Sequence, residues 1–154
     1  MKILSILIIG LALLEVAAPT SSKRKSAQID SGFLGNWRLD VSTSDFGPNP
    51  KPRMGQVNWG EHGWTLALVF ADGQMFTDGI ATDAACVYIG NLPLTCEYEV
   101  VTTRHVRLVM KEGKNVIRIG DIELLDNGTT QTIHQVRPPN ESPYVEKTIW
   151  VKQK

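Results

Sequence analysis

The sequence predicts an all-β protein built as a single up-and-down antiparallel β-barrel of about eight to ten strands. Three observations predict it. Short runs alternate apolar and polar residues with a period of two, the pattern of half-buried strands. Turn signals rich in Gly, Asn, Asp and Pro separate those runs at near-regular spacing. No convincing helical periodicity appears among them. Mostly short connections favour a meander, and a meander that closes on itself leaves no exposed strand edge.

The chain opens with Met1 and Lys2, then the apolar run from Ile3 to Leu14, then the small residues Val16, Ala17 and Ala18. A short positive start, an apolar core and small residues behind it describe a secretory signal peptide, expected over residues 1–22. The apolar run is short for a membrane span, which needs about 20 residues. No stable membrane insertion is therefore expected after processing, and the expected location is secreted or periplasmic. Val16-x-Ala18 fits the cleavage pattern but places Pro19 first in the mature chain, so cleavage near Ser22 is an equal alternative. Lys23-Arg24-Lys25 then opens a flexible basic linker, residues 23–32, ahead of the barrel domain at 33–154.

The chain of 154 residues carries 16 basic and 16 acidic side chains. The leader holds one of each, Lys2 and Glu15, so the remainder stays balanced. A balanced domain lacks the basic stripe of a nucleic-acid binder, and no nucleic-acid partner is expected. About 130 residues suit one domain with a real core. Cys86 and Cys96 form an even pair in an apparently exported chain, and a disulfide between them is expected. In the chain-entropy picture, closing that loop of about ten residues stabilises by roughly 2–3 kcal/mol.

Phe33 to Asp40 reads as the opening strand. Trp37, Leu39 and Val41 alternate with Asn36, Arg38 and Asp40. Gly35 permits close approach of a backbone or a ring, and Trp37 can plug one end of a small barrel if its N–H finds a partner. Gly35 and Trp37 are thus expected to close the barrel. Ser42 to Pro52 follows with alternating prolines, which force extended geometry and exclude a helix. Phe46 in this loop is expected over a barrel mouth or beside Trp37.

Met54–Trp59 reads as a strand, and Trp64–Phe70 is the clearest one. In the latter, Trp64, Leu66, Leu68 and Phe70 share a face. Asp72-Gly73 is a hairpin signal into the returning strand Met75–Ala81. Ala85–Ile89 and Leu94–Val100 flank a turn, and Cys96, Tyr98 and Val100 share a face. His105–Met110 sets Val106, Leu108 and Met110 together. In Asn115–Leu125 the apolar set switches from Ile117 and Ile119 to Ile122 and Leu124, which predicts a bulge near Gly120. Thr129–Val136 and Tyr144–Val151 complete the set.

The run Phe33-x-Gly35-x-Trp37-Arg38-Leu39 with Ser44 and Phe46 resembles the start of fatty-acid-binding proteins and the Gly-x-Trp signature of lipocalins. More closely, Gly35, Trp37, Arg38, Leu39, Phe46, Gly47, Pro48 and Pro50 resemble the opening of uncharacterised exported bacterial lipocalin-like proteins. That resemblance implies a calycin-type barrel and little about function. The chain departs from fatty-acid-binding proteins in two places. A Pro-rich loop stands where they insert a helix pair, and Glu146 to Trp150 lacks their Arg-x-Tyr carboxylate grip.

No nucleophile elbow, phosphate loop or zinc motif is present, so no catalytic residue is assigned and an enzyme is not expected. His62, His105 and His134 lie far apart and there is no Cys-x-x-Cys, so no metal and no cofactor is expected. Glu97 and Glu99 share a strand face and read as an outward polar pair. Two functions remain. One is binding of a small hydrophobic ligand inside the barrel by Trp64, Leu66, Phe70, Tyr88, Tyr98, Leu108 and Met110. The alternative is a protein-interaction module such as an extracytoplasmic protease inhibitor, with residues 22–32 as its inhibitory arm.

Overall fold

Ten antiparallel strands follow one another round a nearly closed barrel in the computed structural model, which describes residues 28–82 and 85–154. They are β1 (Gly35–Leu39), β2 (Met54–Gly60), β3 (Gly63–Val69), β4 (Met75–Ala81) and β5 (Val87–Ile89), then β6 (Leu94–Thr102), β7 (His105–Glu112), β8 (Asn115–Leu124), β9 (Thr129–Val136) and β10 (Tyr144–Lys152). Each runs beside its sequence neighbour, and β1 also pairs with β10, so the ladder passes continuously from β5 round to β6. The expected all-β meander is present. The expected signal peptide, and the linker at 23–27, lie outside the described residues.

The ladder breaks where β5 meets β6. There the Cys86–Cys96 disulfide joins the two sides, with the Cα atoms 5.5 Å apart. Closure at the seam is thus covalent where it is hydrogen-bonded elsewhere. A disulfide pair fits a non-reducing compartment. No helix among the described residues is long and apolar enough to cross a membrane.

The N-terminal segment closes one end. Residues Ser31–Phe33 make a short 3₁₀ turn, capped by Asp30, whose side chain accepts from the Gly32 N–H. Phe33 is fully buried and its carbonyl accepts from the Trp37 indole N–H at 2.7 Å. Trp37 therefore buries its ring and satisfies its one donor, and burying each such ring stabilises by about 2–3 kcal/mol. From Phe33 an aromatic chain runs inward to Trp59 (centroids 4.9 Å apart), Trp64 (4.7 Å) and Tyr98 (6.0 Å).

Three details differ from the sequence expectation. The end of the linker is docked, with Asp30 N–H bonded to the Thr103 carbonyl and Lys152 Nζ to the Gly32 carbonyl. Asp30 and Gly32 of the expected inhibitory arm are thus tied to the barrel, and residues 22–27 of that arm lie outside the described residues. Gly35 is needed for its φ of 117° and not for crowding, since a Cβ there would meet only Lys152 Cε at 3.5 Å. The irregularity in β8 sits at Ile117 and not near Gly120, because Met110 pairs with Arg118 while Lys111 pairs with Val116. Beyond it Arg118, Gly120, Ile122 and Leu124 keep one parity and face inward.

The loop after β1 crosses the opposite end. Asp45 and Lys147 exchange both backbone hydrogen bonds, at 2.7 and 2.8 Å. Ser44 Oγ donates to the Asp40 carbonyl and accepts from the Ile149 N–H. The Pro-rich segment is thereby stitched beside β10, with Phe46 and Asn49 at the barrel mouth.

Candidate functional site

Strand parity brings a polar row into a largely apolar interior. Gly120, His134 and Glu146 are register partners across β8, β9 and β10. One step further along lie Ile122, Thr132 and Thr148, and then Leu124, Thr130 and Trp150. Trp150 is buried, which fixes the inward parity of β10, and two and four residues earlier that parity reaches Thr148 and Glu146.

Glu146 is the centre of the row, at 8% exposure. One carboxylate oxygen accepts from Asn49 Nδ2, which the Pro-rich loop delivers. Asn49 Nδ2 also donates to the Tyr144 hydroxyl at 2.9 Å. The other carboxylate oxygen lies 3.4 Å from His134 Nδ1 and 3.9 Å from Arg118 Nη2. Burial pushes the Glu146 pKa up, but His134, Arg118 and Asn49 together hold it below its ordinary value. Burial also dominates at His134 and pushes its imidazole pKa down, so the neutral ring is favoured. Across the interior, Asp78 on β4 is raised by burial despite the nearby Arg118 charge.

Two connected spaces use these groups. An inner chamber of about 80 Å³ is walled by Trp37, Trp64, Leu66, Leu108 and Met110, with Asp78, Arg118 and His134 on its rim. It holds a few waters or the tip of a ligand. A mouth cavity of about 640 Å³ lies outside it, walled by Leu39, Phe46, Leu68, Phe70 and Phe76 on one side and by Asn49, Arg118, His134, Tyr144 and Glu146 on the other. Leu66, Arg118, His134, Thr148 and Trp150 line both.

The residues singled out from sequence divide between these places. Trp64, Leu66, Leu108 and Met110 line the inner chamber, and Leu66 and Phe70 line the mouth cavity. Tyr88 and Tyr98 line neither. Tyr98 packs behind Trp64, where burial pushes its phenol up to about 12. Tyr88 packs against the Ile80 cluster beside the disulfide. Glu97 faces outward and pairs with Lys111. Sequence reasoning missed Asn49, Asp78, Arg118, His134 and Glu146. The usable signal was parity: a charged residue an even number of positions from a core Trp on the same strand is aimed inward.

Arg118 decides what the site can do. Its guanidinium offers five donors, and its nearest carboxylate, at 3.9 Å, is beyond hydrogen-bonding distance. The arrangement can hold an acceptor group at the inner edge of an apolar cavity. Among the described residues no group of three or more His, Cys, Asp or Glu is placed to hold a metal ion.

No family model matches this chain, and no match is found among curated proteins or solved structures.

Proposed function

We propose that this protein is an exported, non-enzymatic barrel, secreted or periplasmic, that binds a small amphiphile in the mouth cavity. The carrying observation is one cavity of about 640 Å³ with an apolar wall facing converging polar groups. Ligand pockets usually measure about 300–1,000 Å³ and combine apolar lining with a few placed polar groups. The apolar body of the ligand lies against Leu68, Phe70 and Phe76. Its polar end, a carbonyl or hydroxyl oxygen, accepts from Arg118. Glu146 and His134 hold that end of the site in shape. The disulfide and the N-terminal leader pattern support the exported location.

Nile red, a flat apolar dye with one carbonyl acceptor, tests the reading. The expected result is saturable one-to-one binding with a blue-shifted emission. Arg118→Met weakens it about tenfold, equivalent to about 1.4 kcal/mol. Leu68→Trp, which fills the mouth, abolishes it, and outward-facing Ile119→Thr leaves it unchanged. Absence of saturable binding, or equal binding by all three variants, overturns the reading.

A further inference from the structure

A second concave space lies on the outside of the barrel and has a different chemistry. It measures about 850 Å³ and crosses the outer face of β1 to β5. Its exposed lining is dominated by carboxamides: Asn36, Gln56, Asn58, Asn91 and Gln153. Thr65 and Thr77 add hydroxyls between them. The register places Asn36 beside Asn58, Asn58 beside Thr65, and Thr65 beside Gly79. Gln56 similarly stands beside Ala67, and Ala67 beside Thr77. The central residues, Ala67 and Gly79, are small, so the middle of the face is low and its amide-bearing margins stand above it.

The opposite outer face follows the ordinary pattern of a solvated sheet. Glu97, Arg107, Lys111 and Asp121 point outward there and pair with one another. On the groove face Asp78 is the only ionisable lining residue, and its side chain belongs to the inward row of β4. The outer groove therefore offers hydrogen bonds without charge. Each carboxamide can donate two and accept two. Asn58 Nδ2 donates to Asn36 Oδ1 at 2.6 Å, which leaves the Asn36 amide protons and the Asn58 oxygen available as a donor–acceptor pair.

We propose that this groove binds a neutral oligosaccharide. Vicinal hydroxyls each donate and accept, and they match a surface whose side chains do the same. A nucleic acid would need cations along the groove. A protein partner would need a buried aromatic or Arg anchor, and Ile89 is the one large apolar side chain that the lining exposes. The groove shares one lining residue, Leu66, with the mouth cavity, and its proposal stands independently of the amphiphile reading.

The test is ¹H–¹⁵N NMR of the full chain titrated with neutral hexasaccharides of glucose, N-acetylglucosamine, mannose and xylose at about 5 mM, suited to a millimolar site. The expected result with at least one of them is a saturable shift of the Asn36, Gln56 and Asn58 side-chain amides and of the Thr65 and Thr77 backbone. Asn58→Leu and, separately, Asn91→Leu reduce the affinity at least fivefold, and neither position is part of the core. No groove shift with any of the four overturns the proposal. So do shifts confined to Phe70 and His134 at the mouth, equal affinity in both variants, or burial of this face in a dimer of the chain.

Discussion

His134 packs directly against Gly120. A Cβ added at Gly120 would stand 2.7 Å from His134 Cδ2 and 2.9 Å from Nε2. The missing side chain at Gly120 leaves the space in which the imidazole sits and meets Glu146. Gly120→Ala therefore displaces the ring. We expect a loss of about 1–3 kcal/mol in denaturant unfolding, the usual cost of overpacking. The same variant weakens Nile red binding, because the polar end of the cavity moves with the ring.

The His134–Glu146 pair sets a pH dependence. Burial holds the folded His134 pKa below 6.5, so the unfolded chain takes up the proton first as pH falls. The contribution is fully present well above pH 6.5 and is lost progressively below it. Glu146, held below its usual 4.5, adds a second loss at lower pH, as its carboxylate is protonated in the fold. Asp78 is shifted the opposite way and acts in the opposite sense. The difference between parent and His134→Gln isolates the imidazole. Chemical unfolding between pH 7 and pH 5 should show a falling stability in the parent and a flatter profile in the variant.

Cys86 and Cys96 hold the one seam that lacks a backbone ladder. Mass analysis after alkylation without reductant should show no modified thiol. Replacing both by Ser should cost roughly 2–3 kcal/mol, read as a lower denaturant midpoint. Because β5 is only three residues long, hydrogen exchange in that variant should rise first at Ile80, Tyr88 and Tyr98, on the two sides of the seam.

Trp37→Phe removes a buried donor and leaves the Phe33 carbonyl without its 2.7 Å partner. The expected destabilisation is about 2–3 kcal/mol, from the orphaned carbonyl together with the lost ring volume. The barrel end should loosen with it, seen as faster exchange of the Asp30 amide that bonds Thr103.

Much of the fold was readable because turn chemistry and period-two alternation are local. Asp72-Gly73 marks a real turn, and each expected strand lies within about two residues of an observed one. The candidate site was harder to read. Ile117 and Ile119 are apolar and suggested one shared inward face; Ile117 does pack against the Ile80, Leu108 and Met110 cluster, but the register irregularity falls at it, so Ile119 points out. That misplaced the parity of β8 and hid Arg118. Glu146 was hidden because a carboxylate in a strand normally reads as a solvent-facing residue. Its burial is tolerable because His134, Arg118 and the long-range arrival of Asn49, 97 residues earlier in the chain, converge on it. No local pattern carries that contact.

Native mass spectrometry of the protein purified without detergent, followed by organic extraction, tests most directly whether the barrel carries a ligand. The expected result is a stoichiometric adduct of one small amphiphile, lost in Leu68→Trp and depleted in Arg118→Met. A bare protein that also fails to take up Nile red would contradict it, and would leave the mouth cavity as unfilled space above a structural ion pair.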